Sequence, residues 1–552
     1  LSKRWQDLAI LAVLFISLRF FALFLFRVGG FITDFSDFNV SFLTFARWSR
    51  YGLYPYLDFW MEYPPLLPWM VIALYRVSLL LPPWHDSPLW FNALMGLTVL
   101  TFDVGNLVLL YLIGCRLWGW ERGRFVGWIY LGLFAPFYTA MGWLDNIPLF
   151  FMLLSLWLWI ELPPGRRLLS AIASGASLGV GFMFKIIPAL LLPLGLKVLK
   201  GKGFAICLAV FLIVVSFIAT PFMLQSPEIF ITSFRAMLGR SPWETVWALV
   251  NGYYSYGVIA GDRFSVPESF ALYHSRIPGM FSIILWGLIY LWLLLRRDQG
   301  GEPAYAVTAA SLIFFSYELF TTGYSPQHIV YFLPFLLLTM PNLTGTVGAI
   351  SLTLVNLFEA VGYFVMFPQE RWLLVMAVIL RTLGLFTLCL TTALKLIGGN
   401  LQLGLWILRA WASFALLCFV VATPLLGKVY IRDRLAITPC ADLINKLQDY
   451  GAGTDVIFLS GETHDAIYPY LKRDLHISLL PELPLAFKSL EEERLAFFQR
   501  KDIKGKFLVI FNPAEPAEIE ALDWLEKTFG PGVNVLNAGG CILMEFKRNE
   551  EN

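Results

Sequence analysis

Charge is what this sequence has least of. Charged residues make up 14% of the 552, against 58% hydrophobic, whereas a soluble globular chain carries about 25% charged residues. Such a deficit excludes an ordinary water-soluble fold over most of the length. A formal net charge of +2 gives no basic footprint, so nucleic acid is not an expected partner. Histidine is scarce, with five residues and no metal-ligand spacing. The six cysteines (Cys115, Cys207, Cys389, Cys418, Cys440 and Cys541) form no CxxC, so neither a zinc site nor a redox motif is indicated. Internal repeats and low-complexity segments are also missing. Aromatics, by contrast, are plentiful: 48 Phe and 20 Trp suit lipid-facing surfaces and interfacial belts.

Apolar stretches of about 20 residues cross a bilayer as helices, because lipid cannot satisfy an open backbone. The pattern predicts a polytopic α-helical membrane protein with about thirteen spans, near 8–27, 91–113, 125–141, 147–160, 168–184, 186–199, 204–223, 278–295, 303–321, 328–341, 345–366, 372–395 and 405–426. The first is too long for a signal peptide and lacks a small-residue cleavage site, so it reads as an anchor. Lys3 and Arg4, then Arg116, Arg122 and Arg124, then Arg166 and Arg167, then Lys197, Lys200 and Lys202, then Arg296 and Arg297 all fall on one side if the N-terminus is cytoplasmic. Pro64–Leu81, bounded by Tyr-Pro-Pro and Leu-Pro-Pro, reads as re-entrant or interfacial within a long first outer loop, 28–90.

Composition changes at Lys428. The expected organisation is a membrane domain over 1–427 and a small extracytoplasmic α/β domain over 428–552. Asp455–Ser460, Lys506–Phe511 and Gly532–Leu536 read as strands, and Ser489–Arg500 and Pro516–Phe529 as amphipathic helices. Cys440 and Cys541 are the tail's only cysteines; in an oxidising compartment a disulfide between them is possible, although spacing does not fix geometry.

Polar residues at the membrane edge discriminate among transporter, channel, receptor and enzyme. Mid-span charges are few, the clearest being Asp103, Arg381 and Arg19, which tilts against an ion or proton path. Three outer stretches carry the candidates. The first loop holds Asp34, Asp37, Arg47, Glu62 and Tyr63; Ser36 can cap a helix running to about Arg50, with Asp37 in its first turn. Both acids simply favour a helix N-terminus on one reading; on the other, a carboxylate at the membrane surface takes a proton from a hydroxyl. Lys185, in Phe184-Lys185-Ile186-Ile187-Pro188, has no acid nearby in sequence. It is either a snorkelling lysine or a lone cation for a lipid phosphate. Gln327 and His328, in Ser325-Pro326-Gln327-His328, end the third stretch; the histidine is an interfacial residue, a donor to a phosphate oxygen, or a group that orients a base.

Together these stretches resemble the GT-C superfamily of polyprenyl-phosphate-sugar-dependent glycosyltransferases, in particular GPI mannosyltransferase I and the bacterial polyprenol-phosphate-mannose-dependent mannosyltransferases. The likeness rests on Asp37-Phe38-Asn39-Val40-Ser41, Gly52-Leu53-Tyr54-Pro55-Tyr56 and Tyr63-Pro64-Pro65-Leu66 in order, on the Lys-x-x-Pro of Lys185–Pro188, and on Ser325-Pro326-Gln327. It spans about residues 30–330 and leaves the tail unmatched. Asp34 and Asp37 are three apart where the eukaryotic pattern has two, so one acid aligns, Asp37; position 41 is Ser rather than aromatic.

The resemblance implies inverting transfer of a hexose, mannose foremost, from a polyprenyl-phosphate-linked donor to a lipid- or glycan-borne hydroxyl at the outer face of a membrane, in the first instance a prokaryotic cell membrane. A phosphate leaving group departs as a stabilised anion and needs no general acid, unlike the two-carboxylate scheme of glycoside hydrolysis. One base then suffices, Asp37. Lys185, His328 and Arg47 would stabilise the phosphate, and Asp34, Glu62, Tyr63, Asp145 and Gln327 would line the sugar or acceptor pocket. No cofactor is required, no ligand cluster demands a metal, and a divalent metal stays open. The rival expectation is a polytopic lipid or lipid-linked-sugar flippase that makes no glycosidic bond.

Overall fold

The computed structural model of the chain describes residues 3–25, 36–82, 88–161, 167–259, 262–277, 279–296, 302–434, 441–468, 471, 474–481, 489–503, 505–538 and 540–548. It divides into two compact units, Leu1–Phe419 and Val420–Asn552, so the division falls inside the last long helix.

Among the described residues, eight helices are long and apolar enough to cross a membrane: Lys3–Phe24, Leu89–Trp118, Arg167–Phe184, Lys200–Gln225, Pro303–Phe320, Leu343–Met366, Arg371–Ile397 and Leu401–Val429. Shorter apolar helices accompany them at Leu66–Ser78, Asn146–Glu161, Ile187–Val198, Met280–Leu295 and Pro326–Thr339. Several expected spans take a different form, 328–341 among them, where a 3-10 turn, Pro326–Tyr331, precedes the helix Leu333–Thr339. Segment 125–141 is broken into Trp120–Gly132 and Phe134–Ala140, with Leu133 extended between them (φ −74, ψ 128). Pro136 lacks the amide that would reach back to Gly132, and its ring would meet that carbonyl. Segment 186–199 begins as a 3-10 helix, Ile187–Leu194, because Pro188 and Pro193 deny the α-helical ladder two of its donors. Leu66–Ser78, inside the stretch read as re-entrant, has 13 residues, about 20 Å of helix and too short to span.

Close backbone approach holds the bundle together where lipid offers no hydrophobic drive. A Cβ at Gly175 would lie 2.4 Å from the carbonyl oxygen of Cys207, so only glycine lets Arg167–Phe184 lie along Lys200–Gln225 as it does. The mid-span charges pair with one another inside the bundle, although both terminal nitrogens of Arg19 and Oε1 of Glu359 are buried without a hydrogen-bond partner. Arg19 Nε donates to Asp103 Oδ2 at 2.6 Å, Tyr130 Oη donates to Oδ1 at 3.1 Å, and all of this is buried. Arg381 pairs with Glu359 in the same way.

In the first loop the chain runs as a π-turn (Phe38–Phe42), an α-helix (Leu43–Trp48) and a 3-10 turn (Ser49–Tyr51), with Asp37 at the N-cap and Gly52 left-handed (φ 79) at the end. The helix expected from Ser36 to Arg50 is therefore present in composite form, and a glycine stops it where φ > 0 is needed.

The second unit holds a five-stranded sheet of order β2-β1-β3-β5-β4, with β1 Asp455–Phe458, β2 His476–Leu479, β3 Gly505–Phe511, β4 Val533–Ala538 and β5 Cys541–Arg548. Strands β2, β1 and β3 are parallel, whereas β5 is antiparallel to both β3 and β4. Alternation along β1 sends Val456 and Phe458 into one apolar cluster with Leu443 and Leu447, and Ile457 into another with Phe497, Phe498 and Leu525. Both faces of the sheet are thus covered, as parallel strands require. Helix Leu490–Arg500 starts on a capping box, Ser489 with Glu492. Cys541 is disulfide-bonded, and Cys440 lies outside the described residues.

Candidate active site

Three remote parts of the chain meet around a cavity of 560 Å³. Asp37, Glu62 and Tyr63 line it from the first loop, Lys185 from the end of Arg167–Phe184, and Gln327 and His328 from the turn before Leu333–Thr339. Asp34 lies outside the described residues. Arg47, in the last turn of Leu43–Trp48, is exposed and does not line the cavity. A cation absent from the sequence reading, Arg240, stands in the wall instead.

Lys185 is not the lone cation its sequence neighbourhood suggested. Its Nζ lies 2.5 Å from Oδ1 of Asp145, which also accepts from Tyr331 Oη at 2.6 Å. The helices Asn146–Glu161 and Arg167–Phe184 pack together as a hairpin, so the start of one meets the end of the other. An acid before a helix N-terminus and a base after a C-terminus both complement the helix dipoles. Burial alone would raise the pKa of Asp145, but Lys185 and His328 outweigh it and hold it below the usual value.

Glu62 is likewise occupied. Arg263 grips it with both terminal nitrogens, one at 2.9 Å. Burial opposes ionisation there, and Arg263 reverses the balance, so the pKa is lowered. The same contact ties the first loop to residues 262–265, where Trp60 Nε1 donates to the carbonyls of Asp262 and Ser265 at 3.0 and 2.8 Å.

Asp37 differs from both. It is partly buried and has no ion pair or side-chain hydrogen bond among the described residues. Burial, reinforced by the charge of Asp145 and opposed by Lys185, raises its pKa from 3.8 to about 7. A carboxyl group so placed is half ionised near neutrality and free to take a proton.

The far wall is a loop zipped to the Ser-Pro-Gln-His stretch. Trp243 N donates to Thr322 O at 3.2 Å, Tyr324 N to Trp243 O at 3.1 Å, and Trp243 Nε1 to Ser325 Oγ at 3.0 Å. A Cβ at Gly323 would lie 2.0 Å from the Trp243 ring, so glycine permits the contact. The Arg240 guanidinium lies 4.0 Å from the centre of that ring, its Nε buried without a hydrogen-bond partner. Arg381 donates to the carbonyl of Glu244 and stacks 3.5 Å from the Tyr324 ring, bracing the loop from behind. Sequence reasoning missed Arg240, Trp243, Arg263 and Glu318. The available signal was a polar stretch punctuated by Gly and Pro, Gly239-Arg240-Ser241-Pro242-Trp243, directly after the amphipathic helix Pro227–Leu238.

Part of the rim is apolar and open: Leu238 is 79% exposed and Ile283 63% exposed, yet both line the cavity. No group of three or more His, Cys, Asp or Glu side chains stands ready to hold a metal among the described residues.

No protein-family model matches the sequence, and no curated protein matches it. Among solved structures the chain is similar to ArnT from Cupriavidus metallidurans bound to undecaprenyl phosphate, at 16% identity, with 97% of each chain covered and a TM-score of 0.39. It is also similar to the oligosaccharyltransferase of Archaeoglobus fulgidus in its apo form, at 12% identity, covering 99% of this chain and 74% of that one, with a TM-score of 0.30. Both likenesses are distant.

Proposed function

We propose that this chain is a membrane-embedded inverting glycosyltransferase. It moves a hexose, mannose foremost, from a polyprenyl-phosphate-linked donor to a hydroxyl on a lipid or glycan acceptor. The observation that carries this reading is the division of labour among three acids: Glu62, in the cavity lining, and Asp145, behind Lys185 and outside the lining, are held by Arg263 and Lys185, while Asp37, also in the lining, has no ion pair among the described residues and titrates near neutrality.

In the proposed step the acceptor oxygen attacks the anomeric carbon from the Asp37 side, and Asp37 takes the hydroxyl proton. The bond from that carbon to the phosphate oxygen breaks, and its electron pair leaves with the phosphate, whose charge grows from one negative unit to two. Cations aimed at the growing charge lower the barrier. Arg240 is the principal candidate because no carboxylate among the described residues forms an ion pair with it; Lys185 and His328 add to the field. Tyr63 and Gln327 supply polar contacts for sugar or acceptor. The apolar rim at Leu238 and Ile283 suits a donor whose polyprenyl chain stays in lipid while its head enters the cavity.

In this reading the N-terminus is cytoplasmic and the cavity opens on the other side of the membrane, with 1–427 as the catalytic domain and 428–552 as an extracytoplasmic one. The flippase alternative is disfavoured because the mid-span ions, Arg19 with Asp103 and Arg381 with Glu359, neutralise one another outside the cavity. The test is to incubate purified protein with a panel of polyprenyl-phosphate sugars and candidate acceptors. Release of polyprenyl phosphate together with a glycosylated acceptor is expected; movement of lipid between leaflets with no new glycosidic bond would replace this reading with the flippase.

A further inference from the structure

We propose that Glu318 is a positioning residue for His328, holding the imidazole so that its Nε2 donates a hydrogen bond to the phosphate of the departing lipid; the inference rests on the glycosyl-transfer reading. Glu318 comes from the last turns of Pro303–Phe320 and is 4% exposed, whereas His328 lies in the turn Pro326–Tyr331 and lines the cavity. His328 Nδ1 is 3.5 Å from Glu318 Oε2. That is too long for a hydrogen bond. Nevertheless Nδ1 and both carboxylate oxygens are buried with no hydrogen-bond partner. Buried polar groups rarely stay unsatisfied, and catalytic contacts that are loose in an empty site tighten when the ligand arrives. A shift of a few tenths of an ångström closes this one.

The surroundings favour a ring clamped between two anions. Asp145 acts on His328 from the adjoining helix start, its own charge held by Lys185 and Tyr331. The rings of Tyr324 and Tyr331 flank the imidazole, with centroids at 5.6 and 5.9 Å. Behind Tyr324 stand Arg381, already paired with Glu359, and Asn356. Tyr317 lines the same wall, and Phe134–Ala140, Leu333–Thr339 and Leu343–Leu357 add no charged group. With Glu318 at Nδ1 and a phosphate at Nε2, both nitrogens carry hydrogen. His328 keeps its proton throughout; the proton of the acceptor hydroxyl still goes to Asp37, and the electron pair of the broken bond still goes to the phosphate.

The experiment uses full-length protein in liposomes with a short-chain polyprenyl phosphate, without sugar or acceptor, so that nothing turns over. Solid-state 15N NMR of histidine-labelled protein reads the ring nitrogens, and His328→Gln identifies the signal. In the wild-type complex both nitrogens should be protonated; in Glu318→Gln one should lose its hydrogen, and Glu318→Asp should restore part of the doubly protonated signal. The Kd for polyprenyl phosphate should rise about fivefold or more in Glu318→Gln, with the same rise in an Asp37→Asn background and under a twofold change in a His328→Gln background. Doubly protonated His328 in Glu318→Gln, or an equal loss of affinity when His328 is already absent, overturns the inference while leaving glycosyl transfer standing. Wild-type protein that does not bind polyprenyl phosphate overturns both.

Discussion

Replacing Asp37 with Asn exchanges one carboxylate oxygen in the cavity for an amide nitrogen and changes little else, because Asp37 holds no salt bridge or side-chain hydrogen bond among the described residues whose loss would loosen the fold. A positioned general base contributes about 10²–10⁴ in rate, or about 3–5 kcal/mol of barrier, so kcat should fall by that factor with the donor KM nearly unchanged. The wild-type pH dependence supplies a second reading of the same group. Burial and Asp145 place its pKa at about 7, and the raised value means that the active, ionised form is lost as pH falls through neutrality. About a tenth of the molecules are competent at pH 6 and about nine-tenths at pH 8, so kcat should climb roughly tenfold across that interval. Release of polyprenyl phosphate at saturating donor, measured from pH 5.5 to 8.5, checks both. An Asn variant within threefold of wild type, or a flat profile between pH 6 and 8, would refute the assignment of the base.

Lys185→Ala removes a charge that lowers the pKa of Asp37, so the rising limb of the pH–rate curve should move to higher pH; a move to lower pH contradicts the electrostatics. Arg240→Ala should raise the Kd for polyprenyl phosphate tenfold or more, about 1.5–3 kcal/mol for a charged hydrogen bond, as measured by direct titration. Gly323→Ala forces the Trp243 ring away and with it the loop that bears Arg240. Turnover should drop by up to about 10² while thermal unfolding in detergent stays near wild type. Asp103→Asn leaves Arg19 buried and uncompensated, which should cost about 3–5 kcal/mol of stability with no change in donor KM; an unchanged unfolding midpoint would show the pair to be dispensable.

Much of the site was legible because its parts lie in short segments flanked by strong punctuation. Asp37, Glu62 and Tyr63 sit in a polar loop between apolar helices, Lys185 stands just before Pro188, and Gln327 and His328 follow Pro326; all six line one cavity. Their partners were not legible, since nothing local marks them. Asp145 and Lys185 are 40 residues apart and Glu62 and Arg263 are 201 apart, so only tertiary packing brings each acid to its base. Arg47, from the same loop as Asp37, is exposed and outside the cavity lining, a difference that a helix produces by carrying successive residues around its axis. In the tail, β2 was not legible because only two of its four residues are apolar, against three of four in β1, and β5 because Glu545, Lys547 and Arg548 interrupt its apolar run.

The pairing of Glu62 with Arg263 and of Asp145 with Lys185 also bears on how a turnover ends. In the proposed reaction the ligand gains a negative charge while Asp37, now carrying the acceptor's proton, loses one. The spent lipid is therefore gripped harder than the fresh donor, with Arg240 beside it. Only when Asp37 sheds that proton to water does repulsion return and loosen the hold. Exit of the carrier would then wait on deprotonation of a single carboxyl group, tying the clock of the whole cycle to the side chain that begins it.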